Sequence, residues 1–215
     1  MSLHYSASRF LLGGFVGALS GWEVHGRENV PKSGAVILAS NHISFWDPLL
    51  VGTAAIREQH FLAKGELFRP PLGWLIRAYN AIPIRRGVAD LSGLAKAMDV
   101  LRAGRSLILF PEGTRARGGD LRPARPGLGM LAVSSDALLV PTCIMGSDHP
   151  GKWLFRQSKL RVDFAPPRTW RELPGTAGLE PGRALYESVG AGVMREIAVL
   201  KARQLNLAVR GTATP

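Results

Sequence analysis

The chain has 215 residues, 46% hydrophobic and 20% charged, which excludes a disordered polymer and suffices for one globular domain with a proper core. A formal charge of +11 and a pI near 10.8 suit polyanionic partners: nucleic acid, anionic lipid or phosphorylated substrates. A single cysteine, Cys143, excludes an internal disulfide; with no zinc-type Cys/His spacing and no nucleic-acid module motif, no metal, cofactor or nucleic-acid partner is expected.

Near the N-terminus, Arg9 precedes the apolar run Phe10–Leu19, which is too short to span a bilayer. Three readings stand: a signal-peptide core, a soluble helix packed on the domain, or a segment lying in a membrane interface, the last being favoured. Three glycines within the run weaken any helix there. Val24–Pro31 reads as a lead-in to the first strand, with His25 and Arg27 as exposed turn residues.

Ala35–Ser40 is an apolar run that predicts a buried strand, and it leads into Asn41-His42-Ile43-Ser44-Phe45-Trp46-Asp47 and then Pro48. A neutral imidazole is the side chain best matched to taking a proton near pH 7, and a carboxylate partner fixes its tautomer. A spacing of five is not a same-face helical spacing, so contact between His42 and Asp47 requires the turn to fold back. The competing reading is a helix start, with Asp47 as N-cap and Pro48 at the first helical position. A helix is expected from Pro48 to Arg57, then a short strand over Phe61–Ala63 ending at Lys64. Lys64 is either a phosphate contact at a strand end or an ordinary solvated lysine.

Glu66–Tyr79 is an apolar segment broken in two by Pro70-Pro71. Ala81–Ile84 reads as a strand, and Pro83 within it argues for an edge or irregular strand. Leu91–Arg102 has the clearest helical spacing, with Gly104 as a stop. It feeds the apolar strand Ser106–Phe110, completing a β-α-β crossover. Pro111-Glu112-Gly113-Thr114-Arg115 follows, again just past a strand end, which is where open α/β sheets bind ligands. Glu112 suits accepting from hydroxyls, Thr114 and Arg115 suit holding an anion, and Gly113 permits close backbone approach. A plain Pro-Gly turn with surface charges is the alternative.

An Arg-, Gly- and Pro-rich loop runs to Gly127. Next come a short helix over Leu128–Ser135 and a buried strand over Ala137–Met145, irregular at Pro141. Asp148-His149 is a second His-Asp pair, but without the strand-turn-helix setting of the first. Arg161–Phe164 is the last strand, 168–182 a linker, and Leu185, Val189, Val193, Ile197 and Leu200 mark one face of a C-terminal helix in which Gly190 and Gly192 are costly.

Asn41-His42 with Asp47, followed by Phe110-Pro111-Glu112-Gly113-Thr114-Arg115, resembles the glycerolipid acyltransferases, more narrowly those acting on 1-acylglycerol-3-phosphate. The resemblance extends from about Val24 to Pro167 and includes two weaker motifs, Ile82–Gly87 and Val140–Ile144. It implies an acyltransferase domain over 23–215, preceded by an apolar membrane-interface segment over 1–22. The implied reaction moves a fatty acyl group from acyl-CoA or an acyl carrier protein thioester to the free hydroxyl of a lysophospholipid, giving phosphatidic acid. By the same resemblance Arg86 stands at the phosphate-binding arginine, whereas Arg85 replaces what is often an acid. Arg125-Pro126-Gly127 replaces a Lys-Gly before the next helix. His42 and Asp47 would be catalytic; Glu112, Gly113, Thr114, Arg115, Arg86, Arg85 and Lys64 would bind substrate; the protein would work peripherally or monotopically on an anionic membrane surface at its cytoplasmic face.

The alternation of strands and helices predicts a single α/β domain, its largely parallel or mixed sheet covered by helices on both faces. A Ser nucleophile is not expected, because no Gly-x-Ser-x-Gly elbow is present. Two other readings remain: a different lyso-lipid or amino-lipid acceptor, and a non-catalytic basic protein that binds membranes or nucleic acid.

Overall fold

The computed structural model describes residues 3–84, 91–116 and 118–212. Among these residues seven strands form one mixed sheet: β1 (Glu23–His25), β2 (Val36–Ser40), β3 (Gln59–Lys64), β4 (Ala81–Ile84), β5 (Ser106–Leu109), β6 (Leu138–Met145) and β7 (Arg161–Phe164). Their order is β1-β7-β6-β2-β5-β3-β4, and every pairing is parallel except β6 with β7. The helices are α1 (Leu3–Ser20), α2 (Asp47–Ala54), α3 (Leu72–Ala78), α4 (Leu91–Arg102), α5 (Pro126–Ser135), α6 (Pro150–Leu154) and α7 (Arg183–Thr212).

The central strand shows why this is an α/β sandwich. All five residues of β2 are buried, and side chains alternate between the two faces. Val36 and Leu38 pack into one core with Leu50, Phe61 and Val140. Ile37 and Ala39 pack into the other with Leu107, Leu139 and Val193. Both faces must therefore be covered, α1, α2, α3 and α6 on the first and α4, α5 and α7 on the second. Each fully buried Leu or Ile contributes roughly 1.5–3 kcal/mol of transfer free energy.

Where proline stands in the sheet has a local cause. β4 is one of the two edge strands, so the missing N–H of Pro83 costs little. Pro141 is in the interior, yet the ladder to β2 runs unbroken from Val36↔Leu138 to Ser40↔Thr142. Leu139, two positions earlier, sends its N–H to Arg168 O on the β7 side. Pro141 faces that same side, just past the end of β7 at Phe164, where its carbonyl still accepts the Ala165 N–H at 2.8 Å and the chain rejoins β6 at the Leu139–Arg168 bridge. The irregularity expected at Pro141 is thus confined to one flank.

Several elements differ from the sequence reading: α2 ends at Ala54, short of Arg57, β3 begins at Gln59, and α6 has no counterpart among the expected helices. The lead-in at Val24 is itself part of a strand, β1, short and half-exposed, aligned with β7 as Glu23↔Arg161 and supported by the Glu23–Arg161 ion pair at 3.6 Å. The N-terminal helix is longer than the apolar run. Tyr5 and Val16 are buried against the domain, and Tyr5 Oη donates to Gly52 O. Arg9 Nε donates to Thr53 O and Tyr79 Oη to Ser8 O. No helix among the described residues is long and apolar enough to cross a membrane.

Candidate active site

β2, β3, β5 and β6 all point the same way, so their C-terminal ends share one edge of the sheet. From these ends come His42, Lys64, the turn after Leu109, and the turn after Met145. Asn41 clamps the first loop to β6: its Nδ2 donates to Ile144 O at 2.9 Å, and Ile144 N donates to its Oδ1 at 2.8 Å.

His42 and Asp47 meet. Nδ1 of His42 lies 2.9 Å from Asp47 Oδ2, and Asp47 is fully buried. The turn folds back because the same oxygen accepts the N–H groups of Ile43 at 2.7 Å and Ser44 at 2.8 Å. Asp47 is therefore not the N-cap expected from the sequence. Trp46 holds that position, and the Asp47 carboxylate satisfies loop N–H groups behind it instead of helix N–H groups ahead. The imidazole ring stacks on Phe110, centroids 4.0 Å apart and planes at 23°. Nε2 has no partner among the described residues, and His42 lines a cavity of about 380 Å³.

The second turn holds the first by its backbone. His42 N donates to Glu112 Oε1 at 3.1 Å, and Ala116 N donates to His42 O at 2.7 Å. Glu112 Oε2 accepts the Arg122 N–H at 3.1 Å. Both oxygens of this buried carboxylate thus serve backbone N–H groups, and Glu112 does not line the cavity. This differs from the hydroxyl-accepting task expected of it. Burial pushes its pKa above the ordinary carboxylate value, although the His42 and Arg122 N–H groups pull the other way.

Gly113 does line the cavity, with φ of +71°, and a Cβ there would stand 2.7 Å from Arg125 Cδ. Arg115 and Lys64, both exposed, are the charged groups of the lining. Thr114 stands outside it and accepts from Arg122 Nη1 at 3.3 Å. Arg85 and Arg86 lie outside the described residues. The remaining wall is apolar, including Leu49, Phe61, Leu67, Ile76 and Ile108. Asp148 and His149 pair at 2.9 Å on the surface, both substantially exposed. No group of three or more His, Cys, Asp or Glu that could hold a metal is found among the described residues. Two residues with no site role in the sequence analysis join the site: Phe110, there only the first residue of a motif, stacks on the His42 ring, and Ser147 donates to Asp47 Oδ1. The apolar end of β5 before Pro111 was a signal for the first.

The model of the acyltransferase family matches residues 21–145. The chain is 33% identical over 129 residues to the 1-acyl-sn-glycerol-3-phosphate acyltransferase of Borreliella burgdorferi, covering 59% of this chain and 52% of that one. It is also 33% identical over 111 residues to the lyso-ornithine lipid O-acyltransferase of Pseudomonas aeruginosa, covering 51% and 42%. The matches thus span about half the length of these relatives. The crystal structure of the 1-acyl-sn-glycerophosphate acyltransferase of Thermotoga maritima superimposes with a TM-score of 0.64 at 27% identity, over 94% of this chain and 85% of that one.

Proposed function

Because the chain belongs to the acyltransferase family, we propose that it transfers a fatty acyl group from an acyl thioester to the free hydroxyl of 1-acylglycerol-3-phosphate, giving phosphatidic acid. The observation that carries this reading is the His42–Asp47 contact with the second ring nitrogen left for the cavity. Nε2 of His42 takes the proton of the acceptor hydroxyl as its oxygen attacks the thioester carbonyl. The tetrahedral intermediate collapses, the C–S bond breaks, and the imidazolium returns its proton to the departing thiolate. Asp47 holds the tautomer and stabilises the imidazolium without itself taking the proton. A general base of this kind is worth roughly 10²–10⁴-fold in rate.

A direct attack is favoured over a thiol nucleophile. Cys143 is buried in β6, and burial pushes its thiol up to about 12. The apolar wall suits an acyl chain, and Lys64 and Arg115 suit the phosphate of the acceptor. Arg86 and Arg85 are proposed for the same phosphate on the motif alone. Glu112 acts through the His42 backbone, and Gly113 and Thr114 shape the turn that presents Arg115.

The acceptor resides in a bilayer, so the enzyme is proposed to work at its surface. Phe10, Leu11 and Phe15 on α1 are 80%, 69% and 54% exposed, and Trp74 on α3 and Phe155 just after α6 are comparably bare. Each basic residue near an anionic surface adds about 1 kcal/mol. The cytoplasmic face is the side proposed.

The lyso-ornithine lipid relative favours a second reading, an acceptor without a phosphate. Assay of the purified protein with acyl-CoA and acyl carrier protein donors against a panel of lyso-lipids separates the two. Transfer confined to phosphate-free acceptors would replace the first reading with the second. No transfer from either donor to any acceptor, with binding to anionic vesicles abolished by salt, would favour a non-catalytic basic protein.

A further inference from the structure

Among the described residues, three of the four hydrogen-bond partners of the Asp47 carboxylate come from its own loop: His42 Nδ1 and the N–H groups of Ile43 and Ser44, all on Oδ2. All three belong to the loop that carries Asp47, and none of them reaches Oδ1. The fourth comes from 100 positions further along the chain. Ser147, itself fully buried, donates its hydroxyl to Asp47 Oδ1 at 2.5 Å. The turn that delivers it follows β6, the strand that Asn41 already grips through both backbone groups of Ile144. Gly146 makes that turn possible: its φ is +81°, and a Cβ there would stand 2.0 Å from Lys159 O.

The torsion that rotates a carboxylate about its Cβ–Cγ bond is broad, so nothing intrinsic to Asp47 fixes which way its oxygens face. We propose that Ser147 is a positioning residue of the proposed reaction. Its hydroxyl clamps Oδ1, so that Oδ2 stays on His42 Nδ1 and Nε2 stays toward the cavity. The clamp ties the catalytic loop to the sheet, because Ser147 is the partner of Asp47 that does not belong to that loop. This inference rests on reading His42 as the general base.

The test uses the full chain, with two variants and two readouts. Ser147→Ala is expected to lower kcat about ten-fold, the effect of one hydrogen bond to a charged group, with KM for donor and acceptor unchanged. The NMR resonance of the His42 Nδ1 proton, assigned by its loss in His42→Ala, is expected to move. Ser147→Thr keeps the hydroxyl and is expected to keep most of the rate and the wild-type resonance. Wild-type kcat and an unmoved resonance in Ser147→Ala would overturn the proposal, as would a loss confined to KM. If the wild-type protein transfers no acyl group to any acceptor, the reaction reading falls, and the resonance alone then decides whether Ser147 holds the pair.

Discussion

The N–H of His42 donates to the Glu112 carboxylate across seventy positions of sequence, and the N–H of Ala116 returns to the His42 carbonyl. The backbone of the proposed base is thus held on both sides by the turn after β5. The side chain is held separately, by Asp47 in front and Phe110 beneath. Buried backbone N–H groups left without partners are costly, so Glu112 contributes to the site by satisfying two of them.

Glu112 therefore has a pH signature of its own. Its folded pKa lies above the ordinary carboxylate value because burial disfavours the charge. The stability linked to this group is fully present below the unfolded value and is lost as pH rises through the folded one. Glu112→Gln lacks that titration. The melting temperature of the variant, minus that of the wild type, should rise as pH climbs through this window. A difference that stays flat, or falls, would refute the buried-charge reading of Glu112.

Arg115 should matter in proportion to the charge of the acceptor. It lines the cavity and is exposed, and it makes no ion pair among the described residues. Arg115→Ala is expected to raise KM about ten-fold or more for phosphate-bearing acceptors and much less for uncharged ones, as loss of a charge-assisted contact would. Lys64→Ala should follow the same pattern. An equal loss on both classes would assign Arg115 to holding the turn.

Much of this site was legible in the sequence because its residues sit at the ends of apolar runs. Ala35–Ser40 before His42, and Ser106–Phe110 before Glu112, are buried strands whose ends can be placed from hydrophobicity alone. Pro83 marked an edge strand by the N–H it lacks. What could not be read depends on partners distant in the chain. The burial of Glu112 follows from N–H groups on two other segments. The role of Ser147 follows from β6 lying beside β2, and nothing in its own neighbourhood, where Asp148 and His149 pair on the surface, announces it. β1 has no apolar run to announce it and is set by its alignment with β7.

Membrane binding should trace to the outer face of α1. Deleting the first twenty residues would also remove Tyr5 and Val16 from the core, so substitution is the cleaner test. A protein with Phe10, Leu11 and Phe15 all changed to Ser is expected to sediment less with anionic vesicles and to lose activity on vesicle-embedded acceptor. It should keep activity on acceptor presented in detergent. Undiminished vesicle binding would leave the positive charge as the anchor.

Cys143 should be inert. It is buried and its thiol is pushed up to about 12, so iodoacetamide is expected to leave the native protein unlabelled and fully active. Rapid inactivation by stoichiometric alkylation of Cys143 would reopen a covalent route.

The reaction stands or falls on the imidazole of His42. In a transfer assay with the thioester donor and lysophospholipid acceptor that the wild-type protein uses best, His42→Ala is expected to lose at least about 10²-fold in kcat, the lower range for a general base. Its circular dichroism spectrum and melting temperature should remain close to wild type, because the backbone bonds to Glu112 and Ala116 do not involve the ring. A folded His42→Ala protein that turns over at the wild-type rate would contradict general-base catalysis by this residue.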